Sequence, residues 1–191
     1  MKKFSISLIL MTLVIFLASS SVGLAKETPE QLRAKLDKMS LDVLDKMYNK
    51  YPETYNAVPN AYAFCTISSS SVKLGFWGTD RGRGVAVNNV TGKRVYVNMN
   101  EVTIGINIGA KEYDLLFIIT NEAAWNRFIS GNIKFGTEVT AAATDGVSGD
   151  AYAHADHIAD GVFVYQVDKK GLALELTFKG AKISPIKKLN E

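Results

Sequence analysis

Beyond Pro59 the apolar residues of this chain stop recurring every three or four positions and begin to recur every second one. That is the spacing of strands with one buried face. Gly84-Val85-Ala86-Val87-Asn88 and Arg94-Val95-Tyr96-Val97-Asn98 alternate around Val90-Thr91-Gly92-Lys93, which predicts a β-hairpin with glycine in its turn. Val102, Ile104, Ile106 and Ile108 alternate with Thr103, Gly105, Asn107 and Gly109, and the second set is small enough to admit another backbone, a bend or a ligand. Tyr113 to Ile119 is expected to form a strand, as is Ile133 to Ala143, and Thr144 to Asp160 reads as a loop rich in Gly, Ala and Asp. Val162 to Val167 and Leu172 to Phe178 flank Asp168-Lys169-Lys170-Gly171 as a second hairpin. Hairpins dominate and no regular helix-strand alternation appears, so the expected class is α+β, with a mainly antiparallel curled sheet.

Two helices stand out from this pattern. Leu32, Leu36, Met39, Val43, Leu44, Met47 and Tyr51 lie on one face of an amphipathic helix from Thr28 to Tyr51, with Thr28 as N-cap, Pro29 at its first position and Pro52 as its stop. The polar face carries Arg33, Lys35, Lys38, Lys46 and Lys50 against Glu30, Asp37, Asp42 and Asp45. Such a near balance favours packing on a core over lying in a bilayer surface. A short internal helix is expected from Glu122 to Ser130, capped by Asn121 and ended by Gly131.

The residues before Thr28 read differently. Met1-Lys2-Lys3, the apolar run Phe4 to Leu17 and the small-residue step Gly23-Leu24-Ala25 have the form of a signal peptide cleaved after Ala25, leaving one domain from Lys26 to Glu191. The apolar run is shorter than a spanning helix needs. No cysteine follows the cleavage step to carry a lipid, so a periplasmic or secreted location is expected. With 47% hydrophobic and 21% charged residues the chain can build a packed core, which excludes a disordered or disulfide-stapled protein. Its single cysteine, Cys65, lies in an apolar run without a basic neighbour and reads as a core residue, not a nucleophile.

Charge is segregated along the chain. Residues 73 to 94 carry a net +4, residues 169 to 191 another +4, and the stretch from 95 to 168 carries −7. Within the first basic segment, Gly75-Phe76-Trp77-Gly78-Thr79-Asp80-Arg81-Gly82-Arg83-Gly84 combines four glycines, two aromatics and two arginines. It lacks the Lys-Ser/Thr ending of a P-loop, but its glycines let backbone amides and arginine forks approach a phosphate. His154, Asp156, His157 and Asp160 match no standard zinc spacing, and the serines from Ser68 to Ser71 have no positioned base, so neither a metal, a cofactor nor a catalytic residue is expected.

Three stretches carry a family resemblance: Lys73-Leu-Gly-Phe-Trp-Gly-Thr-Asp-Arg-Gly-Arg-Gly-Val-Ala-Val; Val102-Thr-Ile-Gly-Ile-Asn-Ile-Gly-Ala; and Tyr113-Asp-Leu-Leu-Phe-Ile-Ile-Thr-Asn-Glu-Ala-Ala-Trp-Asn-Arg-Phe. With the closing Val164-Tyr-Gln-Val-Asp-Lys-Lys-Gly-Leu-Ala-Leu-Glu-Leu-Thr-Phe-Lys-Gly, the chain resembles the SYLF lipid-binding domain family from about Ser40 to Asn190. The resemblance implies a single α+β domain that binds anionic lipids, which in eukaryotic members are phosphoinositides and in some cases accompany actin-related partners. For this chain the expectation is an anionic phospholipid or envelope lipid surface as partner, and not nucleic acid. The expected contacts are Lys73, Arg81, Arg83, Lys93 and Arg94, with Phe76 and Trp77 as an interfacial aromatic pair. A carrier of a small apolar ligand, suggested by the small face at 103 to 109, and an envelope protein-interaction module are the alternatives.

Overall fold

A computed structural model describes residues 27–74, 77–104, 109–131, 152, 154–169 and 182–191; the side chains of 70–74, 77–81, 101–104 and 109–111 lie outside the description. The expected leader to Ala25, the strand expected at 133 to 143 and the hairpin limb expected at 172 to 178 also lie outside it. In chain order the elements are α1 (Pro29–Lys50), α2 (Thr54–Asn60), β1 (Ala63–Leu74), β2 (Trp77–Asn88), β3 (Arg94–Ile104), β4 (Gly109–Ile119), α3 (Glu122–Ile129), β5 (Asp156–Ala159), β6 (Val162–Asp168), β7 (Lys182–Pro185) and α4 (Lys187–Asn190).

Helix α1 begins where the sequence predicts. The Thr28 hydroxyl accepts from the Gln31 amide while the Thr28 amide donates to the Gln31 side chain, so two otherwise orphan donors are satisfied ahead of Pro29. Its buried stripe is Leu36, Ser40, Val43 and Met47, continued by Tyr51. The polar member of that stripe has a partner: the Thr66 hydroxyl donates to Ser40 Oγ across the helix-sheet interface at 2.7 Å.

The strands form one antiparallel sheet in the order β5-β6-β4-β1-β2-β3-β7, with β1 at its centre. Alternation along β1 splits its side chains between two cores. Ala63, Cys65 and Ile67 join Val97, Met99, Leu115, Phe117 and Val164 on one face, where Ala124, Trp125 and Phe128 of α3 complete the packing. On the other face Leu116, Ile118, Tyr165 and Val167 meet Val43, Met47 and Tyr51, while Leu36 of α1 packs on Val85, Tyr96 and Leu189.

Contacts at both sheet edges show that the sheet curls around α3. On one side Arg127 of α3 pairs with Asp160 in the β5-β6 turn at 3.1 Å. On the other, Gly131 lies against β7 so closely that a Cβ there would sit 3.2 Å from the Ile183 carbonyl oxygen. The inside of a curled sheet has less room than the outside, and β2 meets that demand with Gly82 and Gly84 beside Ala86. Trp125 and Phe128 fill the curl over the described residues, and the small face at 103 to 109 that suggested an apolar cargo lies outside the described side chains.

The helix from Asn121 and the β2-β3 hairpin stand as expected, with Gly92 at φ +70° in the hairpin turn and Gly131 at φ +74° after α3. Two local readings need amendment. Of the alternation at 102 to 109, the first residues end β3 at Ile104 and the last begins β4 at Gly109, and residues 105–108 lie outside the described residues. The stretch read as a loop to Asp160 contains β5, a four-residue edge strand whose single buried residue, Ile158, is too weak a pattern to detect. The short α2 follows Pro52, the stop of the first helix, and Pro59 sits inside its last turn.

A Cβ on Gly84 would lie 2.0 Å from the Thr66 carbonyl oxygen, a backbone atom that cannot rotate away. Gly84→Ala is expected to cost about 1–3 kcal/mol, lowering the thermal midpoint by several degrees. Gly92→Asn, in a turn with nothing within 4 Å of the added Cβ, should change it little. Equal midpoints for the two variants would contradict the crowding inside the curl.

A polar groove as the candidate functional site

The face of the sheet that carries α1 changes character along its strands. Register places Tyr96 opposite Val85, Val85 opposite Thr66 and Thr66 opposite Leu116, a row that packs under the helix. Two residues further along the strands, the next row on the same face reads Asn98, Arg83, Ser68 and Asp114, and the one after it Asn100, Arg81, Ser70 and Glu112. Here the helix no longer covers the sheet. A cavity of about 590 Å³ opens instead, lined by Ser68, Arg83, Asn98, Asn100, Glu112 and Lys169.

Asp114 marks the boundary between covered and open sheet. Its side chain is only 1% exposed, and Lys46 of α1 reaches one carboxylate oxygen at 2.6 Å while Lys169, just past β6, reaches the other at 2.8 Å. Lys169 also donates to Ser68 Oγ. Burial alone would raise the Asp114 pKa, but the hydrogen bonds from Lys169 and Lys46, the Lys169 charge and Ser68 together hold it below the ordinary carboxylate value. Two ammonium groups on one carboxylate leave the cluster with a surplus positive charge. Arg83 and Glu112 are both exposed, and among the described residues neither forms an ion pair. The groove therefore offers a planar guanidinium and a second cationic centre within a hydrogen-bonding wall, an arrangement that suits phosphate or carboxylate.

The expected contact residues divide between two ends of the β2-β3 hairpin. Lys93 and Arg94 are exposed at its turn, where Arg94 pairs with Asp37 at 2.9 Å. Arg83 lies in the groove. Arg81 sits two positions away from it in β2, opposite Ser70 and Asn100, about 20 Å along the strand from the Arg94 partner Val87. Register pairs Lys73 with Gly78 and Trp77 with Ile104 beyond that; Phe76 lies outside the described residues. The sequence reading does not select Ser68, Asn98, Asn100, Glu112 or Lys169, nor Asp114 and Lys46 beneath them. A signal for most of them exists: Ser68 and Ser70, Arg81 and Arg83, Asn98 and Asn100, Glu112 and Asp114 are polar pairs two apart in four successive strands.

The histidine segment serves other contacts. His154 Nδ1 lies 2.8 Å from Glu53, Asp156 accepts from Gln166, and the His157 ring packs on Phe163. Cys65 is fully buried, and burial pushes its thiol pKa well up, as befits a packing residue.

Because the folded Asp114 carboxyl titrates below its unfolded value of about 3.9, the stability it supplies is present in full above that pH and is lost as pH falls through the folded value. Asp114→Asn should cost about 1–3 kcal/mol at pH 7 by leaving two lysines without their counter-charge. Between pH 5 and pH 3, the urea midpoint of the variant should fall less than that of the parent. Parallel decline of the two midpoints would remove Asp114 from this role.

A family model described as "Ysc84: Las17-binding protein actin regulator" matches residues 100–191, from the second half of β3 through α4. The chain is also 27% identical over 166 residues to "Beta cell expansion factor A" of Aeromonas veronii. That match takes in 86% of this chain and 61% of the relative, so the chain spans less than two thirds of the relative's length. Asn100, Glu112, Asp114 and Lys169 all fall within the family match. Across residues 100–191, then, the chain is similar to the Ysc84 family, the family of the SYLF domain.

Proposed function

We propose that this protein is an exported lipid-binding module, and not an enzyme, that docks on anionic phospholipid or envelope lipid surfaces through the open end of its sheet. The observation that carries this reading is the groove itself. An exposed guanidinium without an ionic partner among the described residues, a cluster with surplus positive charge and a wall of Ser and Asn side chains form a surface complementary to a phosphodiester headgroup. Arg81 and Lys73 add positive charge further toward the β1-β2 turn, with Phe76 and Trp77 as the interfacial pair. The similarity to the family over residues 100–191 supports the reading, since SYLF domains are binding modules. Lys93 and Arg94 contribute less, because they lie at the other end of the hairpin and Asp37 offsets Arg94. No helix among the described residues is long and apolar enough to cross a membrane.

Each cation beside a charged bilayer is worth about 1 kcal/mol, and salt weakens it. The protein should sediment with vesicles of phosphatidylcholine containing phosphatidylglycerol and not with phosphatidylcholine alone, and added salt should release it. Arg83→Glu should weaken that binding at least about tenfold, and Arg94→Glu should weaken it less. Equal sedimentation with neutral vesicles, or indifference to reversal at Arg83, would overturn the assignment. For export, the protein recovered from producing cells should begin at Lys26; recovery with Met1 retained would reject the cleaved leader.

A further inference from the structure

The groove holds one charge that anion binding does not use. Glu112 is exposed on β4 and lines the same cavity as Arg83, two strands away and offset by one row, so their backbones stand about 12 Å apart. Both residues line the same cavity of about 590 Å³, which has room for a compact headgroup. A bare anion site would gain from a neutral residue at position 112, since a carboxylate there repels phosphate. With Lys46, Asp114 and Lys169 counted together, the described residues of the groove present two positive centres and one negative one. The complementary ligand carries two negative charges and one positive.

Resting on the docking reading above, we infer that the groove selects a lipid headgroup of the phosphoserine class. Arg83 takes one anionic group, Glu112 takes the ammonium, and the lysine cluster around Asp114 faces the second anion. Phosphate and carboxylate are interchangeable between the two cationic centres in this scheme, whereas the ammonium has only Glu112 to meet it.

Phosphatidylserine and phosphatidylglycerol carry the same net charge and differ in the ammonium, so vesicles holding either lipid at equal mole fraction isolate the effect of Glu112. The protein should bind the phosphatidylserine vesicles about fivefold more tightly, the scale of one exposed ion pair. Glu112→Gln should bring the ratio to about one, and Glu112→Asp, which keeps the charge, should retain a preference; thermal unfolding of both variants checks that they fold. Equal affinity of the parent for the two vesicles, or a preference that survives Glu112→Gln, overturns the inference and leaves anionic docking standing. If neither vesicle binds better than phosphatidylcholine alone, docking fails, and soluble glycerophosphoserine against glycerophosphoglycerol, titrated calorimetrically, then decides the groove. Selective binding of the soluble serine headgroup supports the groove as a site for the free molecule, and no selectivity rejects it.

Discussion

One helix cannot cover strands of this length. β1 to β4 run for 11 or 12 residues, close to 40 Å, whereas a helix with its side chains is about 10–12 Å wide. α1 therefore shields only part of the outer face, and the sequence follows that limit row by row. Under the helix the cross-strand row is apolar apart from Thr66, which meets Ser40. One row beyond, the residues become Asn, Arg, Ser and Asp, because a side chain that faces water on a sheet need not be apolar. The groove is what remains of the face once the helix has taken its share.

Asp114 shows how sharp that boundary is. A carboxylate at 1% exposure would be costly alone, but two lysines from different elements converge on it, one from α1 and one from the end of β6. The contact pins the flank of the helix to the sheet and leaves positive charge at the groove's rim. Stability and recognition thus share atoms: the ammonium groups that satisfy the buried acid are the ones that raise the potential beside Arg83.

The opposite face obeys a different constraint. There the sheet wraps α3, and space is scarce enough that β2 carries Gly82 and Gly84 where other strands carry Val, Met or Leu. These glycines lie in the segment that looks, in one dimension, like a phosphate-cradling loop. Folded, they relieve crowding against Ile67 and Thr66, while Arg83 between them alternates to the outer face and supplies charge. Glycine and arginine in that stretch answer separate demands on the two sides of one strand.

Periodicity, caps and turn residues were enough to specify α1, α3, the β2-β3 hairpin and the α+β class, because these depend on neighbours within a few positions. Even the polar pairs two apart at 68 and 70, 81 and 83, 98 and 100, 112 and 114 are written in the chain. Their common address is not. Which strands stand side by side, and in what register, is set by long-range pairing. Only that pairing brings Asn98, Arg83, Ser68 and Asp114 into one row, sends Lys46 and Lys169 to the same carboxylate, and sets Arg94, opposite Val87, four residues along β2 from Arg83. Local chemistry decided what each segment would be; the sheet decided which charges would meet.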